Sequence, residues 1–273
     1  MEKIGIIGLG NMGMGIAKNL IKGGYATMGY DLRKECLEEI VTHGGEAAES
    51  VSQIGKLCDV VFVMVMNGNQ VKEVVTQLSP GLNGRGTIII TATITPEEVR
   101  EAYNIAKGSN IRMVDSPVSG GLDGAHEGTL TLMTSADDKT FSDCHDILDA
   151  ISKDIFHVGK NIGDGQTVKA SLQSFIGSTF AAIFESLVLG SKAGIDGKIL
   201  YDVFSSSGVS SPIFKNCAKL IMDRKFENTG SHISTMYKDL GITMDMAKKN
   251  GVPMFTTGAA FELFQAGISM YPE

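Results

Sequence analysis

The sequence has few of the features that mark several large classes of protein. Its four cysteines show neither C-x-x-C spacing nor the density of a disulfide scaffold, which favours reduced thiols and a cytoplasmic location. It has 24 basic against 31 acidic residues, a net charge of −7, and no basic run, so a nucleic-acid partner is not expected. Its five histidines form no ligand spacing and no G-x-S-x-G motif is present, so we expect neither a catalytic metal nor a serine hydrolase.

Long hydrophobic runs are also scarce. The longest apolar stretch, residues 170–184, is shorter than the roughly 20 residues that span a bilayer, and it contains serine, threonine and glutamine. The chain enters its first apolar strand within a few residues of Met1, which leaves no room for a signal peptide. No membrane association is therefore predicted.

Glycine, by contrast, is abundant, and at the start of the chain it forms a pattern. In KIGIIGLGNMGMGIAKNLIKGG an apolar strand is followed by Gly8, Gly10 and Gly13 in the spacing G-x-G-x-x-G, and then by a helix. In dinucleotide-binding domains the first glycine makes a tight turn, the second lets the backbone approach a pyrophosphate, and the third lets the helix pack on the strand. The phosphates then lie at the helix N-terminus, where unpaired N–H groups favour negative charge.

An acidic residue stands where such a domain binds the adenosine ribose. A second predicted strand, residues 26–30, is followed by Asp31, whose carboxylate can accept hydrogen bonds from ribose hydroxyls and repels the 2′-phosphate of NADP. The sequence therefore favours NAD. Arg33 keeps NADP as an alternative cofactor, and a purely structural glycine-rich turn is the alternative to cofactor binding.

Strands and helices alternate through the first half of the chain, which predicts an α/β fold with a Rossmann-type doubly wound parallel sheet. The run DVVFVMVM, for example, is typical of a parallel strand buried on both faces. From Gly159 onward the pattern becomes purely helical, beginning with a nearly uncharged helix over 166–193, on the order of 40 Å long. We predict a dinucleotide-binding domain over 1–162 and an all-helical domain over 163–273, joined by this long central helix.

The segment DSPVSGG follows a predicted strand at its C-terminal end, where ligands bind in open α/β sheets. Ser119 offers a hydroxyl group, and Gly120 and Gly121 expose backbone N–H groups without side-chain hindrance. These groups suit a substrate carboxylate. The structural alternative is a turn stabilised by serine and glycine.

Lys169 lies in the first turns of the nearly uncharged helix. Lysine is seldom fully buried unless it is paired, and a buried amine can accept the hydroxyl proton when an alcohol is dehydrogenated. Gln173, four residues on, shares the same helix face and can bind the same ligand. The alternatives are a lysine that reaches solvent and a glutamine that caps a domain boundary.

Two further residues are candidates. Thr93 follows a predicted parallel strand and faces the same crevice if the topology is as predicted, although β propensity alone explains a threonine there. Lys238 lies in a late helix, where a solvated helix face is the default explanation for a charged residue.

These motifs resemble those of the β-hydroxyacid dehydrogenase family, which includes 3-hydroxyisobutyrate dehydrogenase, tartronate semialdehyde reductase and L-threonate dehydrogenase. The resemblance covers almost all 273 residues and rests on five motifs in order: GIIGLGNMGMGIAKNL, DSPVSGG, GAHEGTLTLM, GDGQTVK and KDLG. The first resembles the family's cofactor signature, the second its substrate loop, the fourth its catalytic-lysine motif and the last a late active-site motif.

The resemblance implies roles for individual residues. It makes Lys169 the catalytic acid/base and places Thr93 beside the nicotinamide and Lys238 in the closed cleft, against both substrate and cofactor. It assigns the substrate carboxylate to the serine and glycines of DSPVSGG. It also implies four more cofactor contacts: Asn11, Met12, Met66 and Asn67.

We therefore predict an NAD-dependent oxidoreductase that oxidises the hydroxyl on the carbon β to a carboxylate, or reduces the corresponding semialdehyde. The resemblance also implies a homodimer or homotetramer built through the helical half. Gln173, together with the QTVK segment before it, resembles the pattern of the threonate-type branch, which acts on four-carbon sugar acids. Two alternatives stay open. One is an imine reductase-like enzyme, a branch that typically replaces the lysine, and the other is a non-catalytic dinucleotide-binding module.

Overall fold

The computed structural model describes residues 2–82, 84, 86–227, 229 and 232–270. The chain divides into two compact units, Met1–Lys169 and Ala170–Glu273. This division falls inside a long helix, whereas the sequence analysis placed the domain boundary between residues 162 and 163, before that helix.

The first unit consists of alternating strands and helices. Its strands are β1 (Lys3–Ile7), β2 (Ala26–Tyr30), β3 (Glu46–Ala47), β4 (Val60–Val63), β5 (Thr87–Ile90), β6 (Arg112–Asp115), β7 (Val118–Ser119), β8 (Leu130–Ser135) and β9 (Ser152–Gly159). Its helices are α1 (Asn11–Lys22), α2 (Lys34–Thr42), α3 (Val51–Leu57), α4 (Gly68–Leu82), α5 (Pro96–Gly108), α6 (Gly121–Glu127), α7 (Asp138–Asp149) and the first residues of α8 (Asp164–Lys192).

In the part of the chain that the structure describes, the nine strands form one sheet in the order β3-β2-β1-β4-β5-β6-β8-β7, with β9 beside β8. Strands β1 to β6 are parallel and follow the order 3-2-1-4-5-6 of a dinucleotide-binding Rossmann fold. The predicted α/β fold is thus confirmed. The sheet is mixed rather than wholly parallel, because β8 runs antiparallel to β6 and β7 while β9 runs parallel to β8.

The central strands are buried on both faces, and the alternation of their side chains divides the core of this unit. Ile88 and Ile90 of β5 pack with α3, α4 and α5 on one face, whereas Ile89 packs with α1, α2 and α7 on the other. Each fully buried side chain of this size contributes about 1.5–3 kcal/mol. The two cores hold the carboxyl ends of the parallel strands in one row.

The second unit, as far as the structure describes it, contains helices only, as predicted. Besides the remainder of α8 these are α9 (Gly197–Ser206), α10 (Pro212–Met222), α11 (Ile233–Lys249) and α12 (Phe255–Met270). One apolar cluster joins α8 to α9 and α10 around Phe214, and another joins α8 to α11 and α12 around Leu240.

Helix α8 has 29 residues, which at 1.5 Å per residue is roughly 40 Å, as predicted. By length and composition alone it could cross a membrane, with a mean hydropathy of 1.4 in its most apolar window. Residues 170–184, from which no membrane span was predicted, are only the middle of this longer helix. Core helices of soluble proteins that meet the same criterion are mostly buried, whereas 22% of this window is buried within the single chain.

Candidate active site

A side chain would collide with the protein backbone at two of the three glycines of the first turn, but not at the third. Gly8 has a φ of 91°, and a Cβ there would collide with the carbonyl of Met64. A Cβ at Gly13 would collide with the carbonyl of Gly8. Gly10 has an ordinary φ of −66°, and the nearest atom to a Cβ there is Arg33 Nη2, 3.5 Å away. The protein leaves space at Gly10, which fits the close approach of a dinucleotide.

Gly10→Ala should therefore separate cofactor binding from folding. We expect the Kd for NAD to rise by roughly tenfold or more because the methyl group occupies the space of the pyrophosphate, while the free energy of unfolding falls by about 1 kcal/mol or less, since the position caps α1. Titration calorimetry and urea unfolding measure the two quantities. Gly13→Ala is the contrasting variant, which should unfold at much lower urea, and unchanged NAD binding by Gly10→Ala would contradict the assignment.

Asp31 follows β2, and its carboxylate is fully engaged within the protein. Oδ2 accepts from the backbone N–H of Leu9 at 2.7 Å and from Arg33 Nη2 at 3.1 Å. Oδ1 accepts from the backbone N–H and from Nε of Arg33, both at 3.0 Å. Burial raises the pKa of Asp31, but the hydrogen bonds from Arg33 and Leu9 outweigh it and hold the pKa below its ordinary value. The carboxylate is therefore charged at neutral pH.

A cavity of about 310 Å³ opens beside this ion pair. The groups that line it include a guanidinium, an imidazole and a carboxylate, and six of its residues are Gly10, Asn11, Arg33, Cys36, Glu39 and His126. Lys18 neutralises Glu39, because its Nζ lies 2.7 Å from Oε1. The cavity thus adjoins both the glycine turn and the Arg33 side chain.

The remaining predicted cofactor residues lie at the carboxyl ends of β1, β4 and β5. Asn11 and Met12 open α1, and Met66 is 60% exposed just before α4. Asn67 caps α4, since its Oδ1 accepts from the backbone N–H of Gln70 at 3.0 Å. Thr93 is half-buried just after β5. The structure therefore brings these residues to one edge of the sheet.

The segment after β6 contains more secondary structure than the sequence predicted. Val118 and Ser119 form the short strand β7 against β8, and Gly120 precedes helix α6, which the sequence analysis did not predict. Gly120 and Gly121 have φ values of 132° and 64°, a region that favours glycine. These φ values are by themselves a sufficient reason for glycine at both positions, in agreement with the alternative interpretation of this segment as a structural turn. Both residues are exposed, and Ser119 is half-buried.

Asp115, the last residue of β6, is fully buried and contacts the start of α8. Its Oδ2 accepts from the backbone N–H of Gly163 at 2.9 Å and from the Ser135 hydroxyl at 3.1 Å, while Oδ1 accepts from Gln166 Nε2 at 2.8 Å. Burial raises the pKa of Asp115 to about 6, and these hydrogen bonds only partly offset it.

This raised pKa predicts a specific dependence of stability on pH. A carboxyl group whose folded pKa lies above its unfolded value near 3.8 stabilises the fold below that value, and the contribution disappears as pH rises through about 6. The stability of the protein relative to Asp115→Asn should therefore fall by about 2 kcal/mol between pH 4 and pH 7.

Asp137→Asn provides a control of opposite sign. Hydrogen bonds from Thr140 lower the pKa of Asp137, so the stability advantage over this variant should grow as pH rises from 3 to 5. Urea unfolding of the protein and both variants at several pH values measures the difference. A pH-independent gap between the protein and Asp115→Asn would contradict the buried, titrating carboxyl.

Lys169 lies on α8 at the end of the first unit, and only 6% of the residue is exposed. Gln166, one turn earlier, holds this part of the helix to β5: its Nε2 donates to the carbonyl of Ala92 at 3.0 Å, and its Oε1 accepts from the backbone N–H of Ile94 at 3.1 Å. Ala92 and Ile94 flank Thr93. The two hydrogen bonds therefore fix the helix that carries Lys169 next to the segment that carries Thr93.

Gln173 and Lys238 belong to the second unit. Gln173 is 6% exposed, and its Nε2 donates to Oδ2 of Asp239 at 2.5 Å. Lys238 Nζ lies 3.1 Å from Oδ1 of the same carboxylate. Asp239 thus joins the two predicted residues, and Lys238 is ion-paired rather than part of a fully solvated helix face. Among the residues described, no group of three or more His, Cys, Asp or Glu could hold a metal ion.

Three residues that were not predicted as site residues, Asp115, Gln166 and Asp239, lie within the motifs of the sequence. Their polar side chains are buried, at 0%, 1% and 4% exposure. A signal was present: buried polar residues need partners, and each lies within or next to an apolar segment of the sequence.

A Rossmann sheet with a dinucleotide-type glycine turn and an acidic residue after β2 is typical of the class of nicotinamide-dependent oxidoreductases. The NAD-binding domain of 6-phosphogluconate dehydrogenase matches residues 3–159, and the NAD-binding family of NADP-dependent 3-hydroxyisobutyrate dehydrogenase matches residues 163–272.

Full-length relatives define the family within this class. The chain is 33% identical over 272 residues to 2-(hydroxymethyl)glutarate dehydrogenase of Eubacterium barkeri, covering 98% of this chain and 90% of that protein. It is 33% identical over 270 residues to L-threonate dehydrogenase of Cupriavidus necator, covering 96% and 89%. The crystal structure of a 3-hydroxyisobutyrate dehydrogenase from Salmonella typhimurium matches with a TM-score of 0.90 at 28% identity, covering 99% and 95% of the chains.

The chain therefore belongs to the β-hydroxyacid dehydrogenase family. It is an NAD(P)-dependent dehydrogenase that transfers a hydride between a nicotinamide cofactor and a CH–OH group. The predicted family, fold and enzyme class are confirmed.

Proposed function

We propose that this enzyme oxidises the hydroxyl of a small β-hydroxy acid with NAD, or reduces the corresponding semialdehyde with NADH, and that Lys169 is its acid/base. The observation that carries the proposal is the burial of Lys169 on a helix whose start is hydrogen-bonded to the carboxyl ends of the parallel strands β5 and β6, and to Ser135 of β8. Ligands of open α/β sheets bind outside these strand ends.

Each group then has a task. Bound NAD supplies a nicotinamide ring that accepts the hydride. The hydroxyl also loses a proton, which the Lys169 amine accepts, and in the reverse direction the ammonium returns it to the carbonyl oxygen. Ser119 and the backbone N–H groups of Gly120 and Gly121 hold the substrate carboxylate. In support of this, both glycines are exposed and have no side chain to cover their backbone.

Two residues of the second unit complete the proposed substrate contacts. Gln173 orients the hydroxy acid, and Lys238 contacts both the substrate and the cofactor. Their common partner Asp239 supports this role. Its buried carboxylate is hydrogen-bonded to Gln173 and ion-paired with Lys238, and these contacts fix the positions of both side chains. The remaining proposed cofactor contacts are those at the sheet edge: Gly8, Gly10, Asn11, Met12, Gly13, Asp31, Met66, Asn67 and Thr93.

We propose NAD rather than NADP as the preferred cofactor. The Asp31 carboxylate is charged, and it disfavours a 2′-phosphate while it can bind ribose hydroxyls. Arg33 must leave Asp31 for this to happen. Its side chain is 53% exposed, so the guanidinium can move into solvent, whereas the Asp31 side chain is 10% exposed and keeps its hydrogen bond from the backbone N–H of Leu9.

We also propose a cytoplasmic homodimer or homotetramer. Its support is apolar surface on the second unit of the single chain, where Phe175 is 70%, Leu189 73% and Phe255 86% exposed. Large apolar side chains that are exposed on a single chain become buried where they contact another subunit, and contiguous patches of them typically mark a protein contact.

A substrate panel tests the proposed reaction. NADH formation is followed with L-threonate, 3-hydroxyisobutyrate, glycerate and 2-(hydroxymethyl)glutarate, and with isobutanol as the matched alcohol that lacks a carboxylate. At least one acid should exceed isobutanol by roughly 100-fold in kcat/KM, since the alcohol lacks the carboxylate that Ser119, Gly120 and Gly121 hold. A preference for NADPH and a cyclic imine over every acid would overturn the proposal in favour of imine reduction.

A further inference from the structure

Side chains from two strands fasten the start of α8 to the sheet. The Asp115 carboxylate accepts from the backbone N–H groups of Gly163, at 2.9 Å, and Gln166, at 3.3 Å. The Ser135 hydroxyl accepts from the backbone N–H of Gly165 at 3.1 Å and donates to Asp115 at the same distance. Three N–H groups at the helix start, which lack partners within the helix itself, thus end on β6 and β8.

The Gln166 side chain connects the start of α8 to a third strand, through the segment that directly follows β5. Its two N–H groups donate to the carbonyl of Ala92 and to Oδ1 of Asp115, and its carbonyl accepts from the backbone of Ile94. The residue is 1% exposed. Both N–H groups of its side-chain amide are therefore used within the protein.

The backbone of the helix start lies directly on the sheet. A Cβ at Gly165 would come within 2.5 Å of the Met133 carbonyl and 2.9 Å of the Asp115 carbonyl. Gly163 has a φ of 102°, and the preceding carbonyl, of Ile162, accepts from Arg100 Nε at 3.1 Å. The first turn of α8 therefore has one closely determined position relative to β6 and β8.

We infer that Asp115 and Gln166 are positioning residues that set the location of the Lys169 amine by fixing the first turn of α8 to three strand ends. Lys169 lies three residues after Gln166 on the same helix, so a displaced first turn displaces the amine. A misplacement of about 1 Å can cost on the order of 10²-fold in rate. The inference rests on the proposed role of Lys169 and extends it to two residues that contact neither substrate nor cofactor.

Gln166→Met is the most direct test, because methionine has a similar length and volume but makes none of the three hydrogen bonds. We expect kcat per folded enzyme to fall roughly 10- to 100-fold, while KM for the hydroxy acid and Kd for NAD stay within about threefold. A residue with a structural role alone would change the folded fraction, measured by circular dichroism and urea unfolding, and leave kcat per folded molecule unchanged. That result would overturn the inference.

Two further variants keep the test decisive. Ser135→Ala removes one hydrogen bond at Asp115 and one at Gly165, so if Gln166→Met does not fold, this milder change should lower kcat about three- to tenfold, and an unchanged kcat would overturn the inference. Asp137→Asn is the matched control: Asp137 caps α7 through Thr140, and its loss should reduce stability without changing kcat.

A double-mutant cycle separates this inference from the proposed function. If Gln166 acts through Lys169, then Gln166→Met should change the residual turnover of Lys169→Ala by less than about threefold. An equal loss in both backgrounds would show that Gln166 acts elsewhere and would overturn the positioning role alone. Full turnover by Lys169→Ala would instead overturn the proposed function, and the positioning role with it.

Discussion

Replacing Lys169 by alanine should lower kcat by roughly 10²- to 10⁴-fold, the usual contribution of a positioned acid/base. The hydroxyl proton then has no acceptor at the strand ends, although the nicotinamide site is unchanged. The Kd for NAD should therefore stay within about threefold. Steady-state kinetics with the best acid of the substrate panel, together with calorimetric titration of NAD, measures both quantities.

Two matched variants give this experiment its controls. Lys169→Arg keeps a positive charge but cannot accept a proton near neutral pH, so it should be nearly as slow as the alanine variant. Lys160→Ala removes an exposed lysine that pairs with Asp138 shortly before α8, and it should retain full turnover. Turnover within tenfold of the parent enzyme in Lys169→Ala would remove this residue from the proton-transfer step.

The parts of the fold and site that the sequence predicts are those encoded locally. The glycine turn, the alternating apolar runs of the central strands and the nearly uncharged helix around Lys169 all lie within segments of about 30 residues or fewer. Their spacing depends on one element and its neighbour, so period and turn chemistry suffice to recognise them.

The parts that the sequence does not predict depend on pairings between distant segments. Strand β7 has two residues and pairs with β8, and Gln166 is hydrogen-bonded to Asp115, which lies 51 positions away in the sequence. Gln173 and Asp239 are 66 positions apart. A buried carboxylate or amide can be suspected in an apolar context, but its partner is chosen by the three-dimensional fold, which a periodicity argument does not supply.

The ion pair between Asp31 and Arg33 gives the second large expected effect, a change of cofactor. Both Asp31 oxygens are engaged by Arg33, and the guanidinium faces a cavity of about 310 Å³ beside Gly10. In Asp31→Ser the guanidinium loses its carboxylate partner and becomes available to a 2′-phosphate, while the ribose hydroxyls of NAD lose their acceptor. We expect the ratio of kcat/KM for NADP to that for NAD to rise by roughly 100-fold or more, because charged, bidentate contacts are the strong ones.

The reciprocal variant should shift the ratio the other way. Arg33→Ala leaves the Asp31 carboxylate without its cation, so repulsion of the 2′-phosphate is no longer screened and the NADP-to-NAD ratio should fall by about tenfold. Arg112→Ala, which removes an exposed arginine paired with Asp143 instead, should leave the ratio unchanged. Cofactor kinetics at one fixed acid concentration compares all three variants. If Asp31→Ser kept the parent ratio, the end of β2 would not select the cofactor, and the preference for NAD would have to arise at the pyrophosphate or nicotinamide end of the site.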